Sequence, residues 1–382
     1  MKIGILTYHR TINYGTFLQC YSLVKKLQKE YANIDIEVID YSTPHNYYFP
    51  YLMGARLLTL GVYSQAIKHF SRISCFRKFQ KLLPLSRKVI TRKTGKFLEK
   101  IKYKYDVIIV GSDTIFNCAF GFPNPFFLNA DLGCYKLSYA ASSYGIRPDD
   151  NKNRYIKEAL SKFEFIGLRD RETENFLQKI CPNKQMYHTC EPTLFLDISN
   201  LNVDMNKLKF LISKKANSNK PLIGIMSTNR ELAYIVKKHF SETHIIISVA
   251  MNNPYADINL LDLSPFEWAN VFSLFDITFT NFFHGTVFSI KNYTPVIAVN
   301  RLENDSEEVG KVEDFLIRMN LQDWYFKDIR TQKKQVEMVL KAKEIISNCD
   351  KNKIKEALHK EMEYFSVFKK SLDNLIKKSV KK

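Results

Sequence analysis

No stretch of this 382-residue chain approaches the 18 or more consecutive apolar residues of a membrane-spanning helix, so no spanning segment is expected. Seven cysteines (Cys20, Cys75, Cys118, Cys134, Cys181, Cys190, Cys349) form no CxxC pair. That argues against a disulfide framework and a zinc site and reads as reduced thiols filling a core. Glycine and proline are modest at 13 and 12 residues, and no internal repeat is visible, which excludes collagen-like, low-complexity and repeat architectures. No GxGxxG is present, so a dinucleotide is not indicated. Met1-Lys2-Ile3 leads into a strand-like segment broken by Tyr8-His9-Arg10, not into a signal-peptide core, and a cytoplasmic protein is expected.

Acidic residues are the scarce charge: 39 Asp and Glu against 57 Lys and Arg leave a net +18. From Arg56 to Lys104 fourteen Lys and Arg face a single acid, Glu99, and the C-terminal end adds Lys369-Lys370, Lys377-Lys378 and Lys381-Lys382. Such a surface attracts polyanions without distinguishing nucleic acid, anionic membrane or anionic substrate. No RNP, zinc or helix-turn-helix pattern accompanies the charge, so nucleic acid is not the expected partner.

Short apolar runs alternate with helical spacing from the start. Lys2 to Tyr8 reads as a strand, Thr16 to Lys29 as a helix, and Ile34 to Tyr41 as a second strand. Asp106-Val107-Ile108-Ile109-Val110 is apolar on both faces, as a central parallel strand should be. After a polar stretch, Asn200 to Lys220, the alternation restarts. The expected fold is therefore α/β, with two Rossmann-like domains facing across a cleft and a helical C-terminal tail. Residues 1–200 form the first domain, with a basic helical insertion at about 45–104; residues 201–330 form the second and residues 331–382 the tail.

Ligands of open parallel sheets bind beyond the carboxyl ends of the strands, which singles out four loops. Asn13-Tyr14-Gly15-Thr16 opens a helix and offers backbone N–H groups to an anion, or else is a tight turn with an Asn cap. Gly111-Ser112-Asp113 follows the central strand, with Asp113 a base or hydroxyl-orienting group, or else a helix cap. Arg169 ends another strand, where its planar fork holds a carboxylate or phosphate, or forms a surface pair at a helix start. His284-Gly285-Thr286 sits where a strand passes into a helix, placing an acid/base group beside amide donors. His9 is a weaker second candidate.

In this order the motifs resemble the polysaccharide pyruvyl transferase family. Tyr105 to Asp113, Ser138-Tyr139-Ala140-Ala141-Ser142, Leu168-Arg169-Asp170, Glu191-Pro192-Thr193-Leu194 and Phe283-His284-Gly285-Thr286 carry the likeness. The resemblance implies a GT-B-like fold, phosphoenolpyruvate as donor substrate with no further cofactor or metal, and a glycan or lipid-linked oligosaccharide acceptor that becomes a ketal. It makes His284 a general acid or phosphate partner, Arg169 an anion clamp and Asp113 the acceptor-orienting base. Asn13, Gly15, Ser112, Ser142, Gly285 and Thr286 then line the substrates. Where some members carry an Arg two residues before this His, the chain has Phe282, a loss that would weaken donor binding unless another cation substitutes, as Arg10, Arg230 or Arg301 could. A glycosyltransferase using a nucleotide-sugar is the alternative, and a non-catalytic membrane-associated assembly factor is a second. Glycan acceptors are often built on lipid diphosphates, so the basic segment is expected to hold the protein peripherally on the inner, anionic face of the plasma membrane.

Overall fold

The computed structural model describes residues 1–117, 122–143, 150–216, 219–300 and 309–380; Cys118 and Arg301 lie outside the described residues. The chain divides into two compact units, one made of Met1–Phe195 with Met362–Lys382, the other of Leu196–Glu361.

Unit 1 begins with β1 (Lys2–Leu6), α1 (Tyr14–Glu30), β2 (Asp35–Val38) and β3 (Tyr41–Ser42). The basic segment follows as α2 (Pro44–Thr59), α3 (Tyr63–Gln80), β4 (Val89–Ile90) and α4 (Thr94–Ile101). The alternation resumes with β5 (Val107–Val110), β6 (Tyr135–Ala141), α5 (Asp150–Ser161), β7 (Phe165–Leu168), α6 (Arg171–Ile180) and β8 (Tyr187–His188). The main sheet has the order β2-β1-β5-β6-β7-β8, all neighbours parallel, while β3 and β4 pair separately. Every residue of β5 is buried, as a strand covered by helices on both faces must be. In α1 the apolar residues Phe17, Leu23, Val24 and Leu27 recur at helical spacing and are all buried, so one stripe faces the sheet.

Unit 2 contains α7 (Met205–Ala216), β9 (Leu222–Met226), α8 (Arg230–Phe240), β10 (Ile245–Val249), β11 (Ile258–Leu260) and α9 (Pro265–Val271). It continues with β12 (Ile277–Thr280), α10 (Phe283–Lys291), β13 (Val296–Val299), α11 (Lys311–Arg318), β14 (Tyr325–Phe326), α12 (Gln332–Asn348) and α13 (Lys351–Met362). Its parallel sheet has the order β11-β10-β9-β12-β13-β14, the doubly wound arrangement in which the chain reverses between β9 and β12.

The division at Phe195 and Leu196 falls slightly ahead of the expected boundary at 200, and the tail is shared between the units. The last helix, α14 (Phe365–Val380), returns to unit 1. Phe368 packs against Tyr139 with centroids 4.8 Å apart, and Asp373 accepts a hydrogen bond from the Tyr31 hydroxyl at 2.8 Å. Aromatic burial, worth more than a charged helix gains from solvent alone, explains why this basic segment docks. Among the described residues no helix is long and apolar enough to cross a membrane.

Candidate active site

In unit 1 the chain leaves β1 toward β2 on one side and returns to β5 on the other, so the loops after β1 and β5 diverge and leave a crevice at their carboxyl ends. Both loops carry predicted residues. Asn13 caps α1, its Oδ1 accepting the Thr16 N–H at 3.1 Å, and Gly15 is buried in the first turn. Asn13 therefore acts as the cap that the sequence allowed, while Thr16 turns its hydroxyl into the crevice. That hydroxyl donates to Asp113 Oδ2 at 3.1 Å.

Asp113 sits under unusual constraint. Gly111 has φ of 126° and a side chain there would meet the Tyr139 carbonyl oxygen at 2.0 Å, so glycine alone fits. Ser112 is fully buried, its carbonyl accepting from the Thr7 hydroxyl at 2.8 Å. Asp113 itself has φ of 88°, a conformation that costs a residue with a Cβ about 1–3 kcal/mol. The Ser142 N–H donates to its carbonyl at 2.9 Å and the Thr114 N–H to its Oδ1 at 2.8 Å, which over-determine the turn. Ser142, buried, is thus a clamp on the Asp113 backbone.

Arg169, at the end of β7, is 1% exposed, and its Nη1 donates to Glu191 Oε2 at 2.9 Å. Its Nη2 lies 3.9 Å from Asp113 Oδ1. Burial works against the guanidinium charge, but Glu191, Asp113 and Asp170 outweigh it and hold the proton more tightly than usual. Arg169 and Asp113 are brought together as predicted site residues, with Arg169 aimed at protein carboxylates. Glu191 is the member that residue-by-residue reasoning gave no role. It follows the two-residue edge strand β8, too short to show a period, although its place among the family motifs marked it.

The loop after β2 carries a further charged group that no strand-end motif marks. Asp40 accepts from Arg10 through both carboxylate oxygens and lies 3.1 Å from His9 Nε2. Burial alone would raise its pKa, but hydrogen bonds from His9 and Arg10 prevail and hold the carboxyl well below the usual range. His9 is accordingly a buried partner of Asp40, and Arg10 has its charge matched there.

Unit 2 forms its crevice between β9 and β12. Buried Asn281 ties the two loops, its Oδ1 accepting the Thr228 N–H at 3.3 Å and its Nδ2 donating to the Thr228 hydroxyl at 3.0 Å. Thr280 Oγ1 donates to the Met226 carbonyl at 2.7 Å and accepts the Phe282 N–H at 3.0 Å, which fixes where α10 starts. His284 and Gly285 are the second and third residues of that helix, and Thr286 bonds back to the Phe282 carbonyl at 3.2 Å. A side chain at Gly285 would reach Thr280 Oγ1 at 2.5 Å, so glycine lets the helix press on the strand. No acidic residue and no side-chain cap stands in the first turn of α10, so no side-chain charge there offsets the positive end of its dipole. Arg230, exposed at the first position of α8, follows β9, the strand next to β12. It is a cation that follows β9 at this switch point.

These two crevices carry in order the segments that the sequence singled out, and the family profile described as Polysaccharide pyruvyl transferase matches residues 13–303. The chain belongs to the polysaccharide pyruvyl transferase family. It is a transferase with the two Rossmann-like domains of a GT-B fold. Among solved structures it is similar to the UDP-GlcNAc 2-epimerase from Neisseria meningitidis bound to UDP-GlcNAc, with 11% identity, 98% of this chain and 100% of that one covered, and a TM-score of 0.57. It is also similar to the UDP-GlcNAc 2-epimerase from Methanocaldococcus jannaschii, with 14% identity, coverage of 92% and 94%, and a TM-score of 0.55. At such identities the likeness speaks for the fold. None of the curated proteins compared with this family member matches it. Among its described residues no group of three or more His, Cys, Asp or Glu is placed to hold a metal ion.

Proposed function

We propose that this family member transfers the pyruvyl unit of phosphoenolpyruvate to two hydroxyls of one sugar, in a surface glycan or its lipid-linked precursor, to form a cyclic ketal. The donor methylene gains a proton and becomes a methyl group, two C–O bonds form at the adjacent carbon, and the bond to phosphate breaks. Of the two hydroxyl protons, one balances the methyl group and the other departs with phosphate. The observation that carries this reading is Asp113, a carboxylate held at φ of 88° against the Thr16 hydroxyl. A base so fixed loses little reorganisation when it takes a hydroxyl proton. In this reading Arg169, paired with Glu191, positions Asp113; His284 is the acid, and Arg230 with the positive end of the α10 dipole holds the donor's anionic groups.

The test is thermal-shift titration of phosphoenolpyruvate against a panel of nucleotide-sugars on wild type, His284→Ala and Arg230→Ala. Stabilisation by phosphoenolpyruvate that both substitutions weaken about tenfold or more is expected. Stabilisation by a nucleotide-sugar alone would hand the site to glycosyl transfer.

The same reading places the enzyme on an anionic lipid surface through the α2 and α3 pair. No acid occurs between Pro44 and Leu98, and the tip between the helices exposes Leu58, Leu60, Tyr63 and Ile67 beside Arg56 and Lys68. Apolar residues at an exposed basic tip favour the lipid interface. Replacing Leu60 and Ile67 by Ser should weaken binding to vesicles containing phosphatidylglycerol about tenfold or more, since each apolar group taken from the interface costs about 1 kcal/mol or more. Pelleting unchanged by both the substitutions and the anionic lipid content would remove the membrane from the proposal.

A further inference from the structure

Beside Asp113, and lined entirely by unit 1, lies a cavity of about 690 Å³, within the range of sites for small ligands. Its floor is aromatic: Tyr8 and Phe126 meet edge to face with centroids 4.8 Å apart, and Tyr41 stands 6.2 Å from Phe126. Its wall is polar, with Ser42, Thr43, Asn46 and Asn117 among the lining residues. Among the described lining residues Arg10, Arg92 and Lys93 are cations and none is acidic. Arg10 is matched by Asp40, whereas Arg92 and Lys93 are exposed and pair with no carboxylate among the described residues. The cavity joins the proposed base through Thr16, which lines it and donates to Asp113 Oδ2 at 3.1 Å. Tyr8 marks the same proximity, since burial and the Asp113 charge both push its phenol up.

An aromatic floor suits the apolar face of a pyranose, hydroxyl and amide walls suit its hydroxyls, and two unmatched cations at the edge call for an anion on the same molecule. The segment between β2 and β5 supplies Tyr41, Ser42, Thr43, Asn46, Arg92 and Lys93, an addition to the Rossmann core.

We propose that this cavity is the acceptor subsite and that it selects a glycosyl phosphate, its sugar against Tyr8 and Phe126, its phosphate on Arg92 and Lys93, and its free hydroxyls toward Asp113. The assignment to the acceptor rests on the pyruvyl-transfer reading; the ligand class rests on the cavity itself. A phosphate at the anomeric position is the group that joins a sugar to a lipid carrier, so the subsite would draw on precursors made by sugar-phosphate transfer to such a carrier.

Isothermal titration calorimetry on the full chain without phosphoenolpyruvate tests it. The probes are glucose 1-phosphate, galactose 1-phosphate and N-acetylglucosamine 1-phosphate, against the free sugars, glucuronate and inorganic phosphate. At least one sugar phosphate should bind more tightly than its free sugar and than inorganic phosphate. Arg92→Ala with Lys93→Ala, both on the surface, should weaken it about tenfold or more. Asn46→Trp, which fills the cavity, should abolish it, with an unchanged thermal midpoint showing that the variant folds. No binding of any sugar phosphate, binding indifferent to these substitutions, or glucuronate binding as tightly would overturn the proposal. Sugar-phosphate binding that persists while phosphoenolpyruvate fails to bind would instead overturn the pyruvyl-transfer reading and leave the subsite standing.

Discussion

At the switch point of unit 1 the chain gathers Asp113, Arg169 and Glu191, two carboxylates around one guanidinium, with Arg169 and Glu191 both 1% exposed. At that of unit 2 it gathers Thr228, Thr280 and Asn281, hydroxyls and an amide with no charge among them, and sets His284 and Arg230 at helix starts. One topological rule produced both crevices, yet their chemistry is opposite. Unit 1 is built to hold one carboxylate in one orientation, which suits a hydroxyl that must lose a proton. Unit 2 uses its buried polar groups to locate the end of α10 and leaves positive potential open, which suits an anionic donor.

The largest effect expected from this contrast is on turnover. Asp113→Asn should lower kcat for phosphate release from phosphoenolpyruvate by about 10²–10⁴-fold while leaving donor-induced stabilisation intact. His284→Asn should lower turnover by a similar factor, and a pair of variants with the donor response reversed would break the division of labour.

Stability comes next. Arg169→Leu takes the guanidinium away from the buried Glu191 carboxylate and should cost about 3–5 kcal/mol in urea unfolding, much of it recovered when Glu191→Leu is added. The matching change in unit 2, Thr280→Val, removes the hydroxyl that bonds the Met226 carbonyl and the Phe282 N–H but strands no charge, and should cost about 1–3 kcal/mol. Equal costs would mean that the buried charges of unit 1 carry no special weight.

The smallest effect is a pH dependence. Because the Asp40 carboxyl is held below the range of an unfolded chain, its contribution is fully present above about pH 4 and is lost as pH falls below that. The stability difference between wild type and Asp40→Asn should therefore be constant at neutral pH and shrink in acid. A difference that grew in acid would mean that Asp40 is not the ionised partner of His9 and Arg10.

Much of this is legible in the chain alone. The run Val107-Ile108-Ile109-Val110 is apolar at every position because β5 is covered on both faces, and the same pattern puts Asp113, Arg169 and His284 just past strand ends, where the structure places them. Short edge strands are not legible: β8 and β14 have two residues each, too few to show an alternation. Nor is α7, whose buried apolar residues Leu208 and Ile212 make a stripe one residue wide in a polar stretch. The docking of α14 on unit 1 is equally hidden, since its apolar residues fit any helix and its partners, Tyr139 and Phe165 among them, lie far away in the chain.

The sequence by itself determined which segments become strands and helices and which residues stand at their ends, because burial on a sheet writes its period into the chain. Only the tertiary structure decided what those ends meet. Thr16 and Asp113 are 97 positions apart and Arg169 and Glu191 are 22, and charges and hydrogen bonds act through space at about 3–4 Å, a distance that strand order sets and no local pattern records.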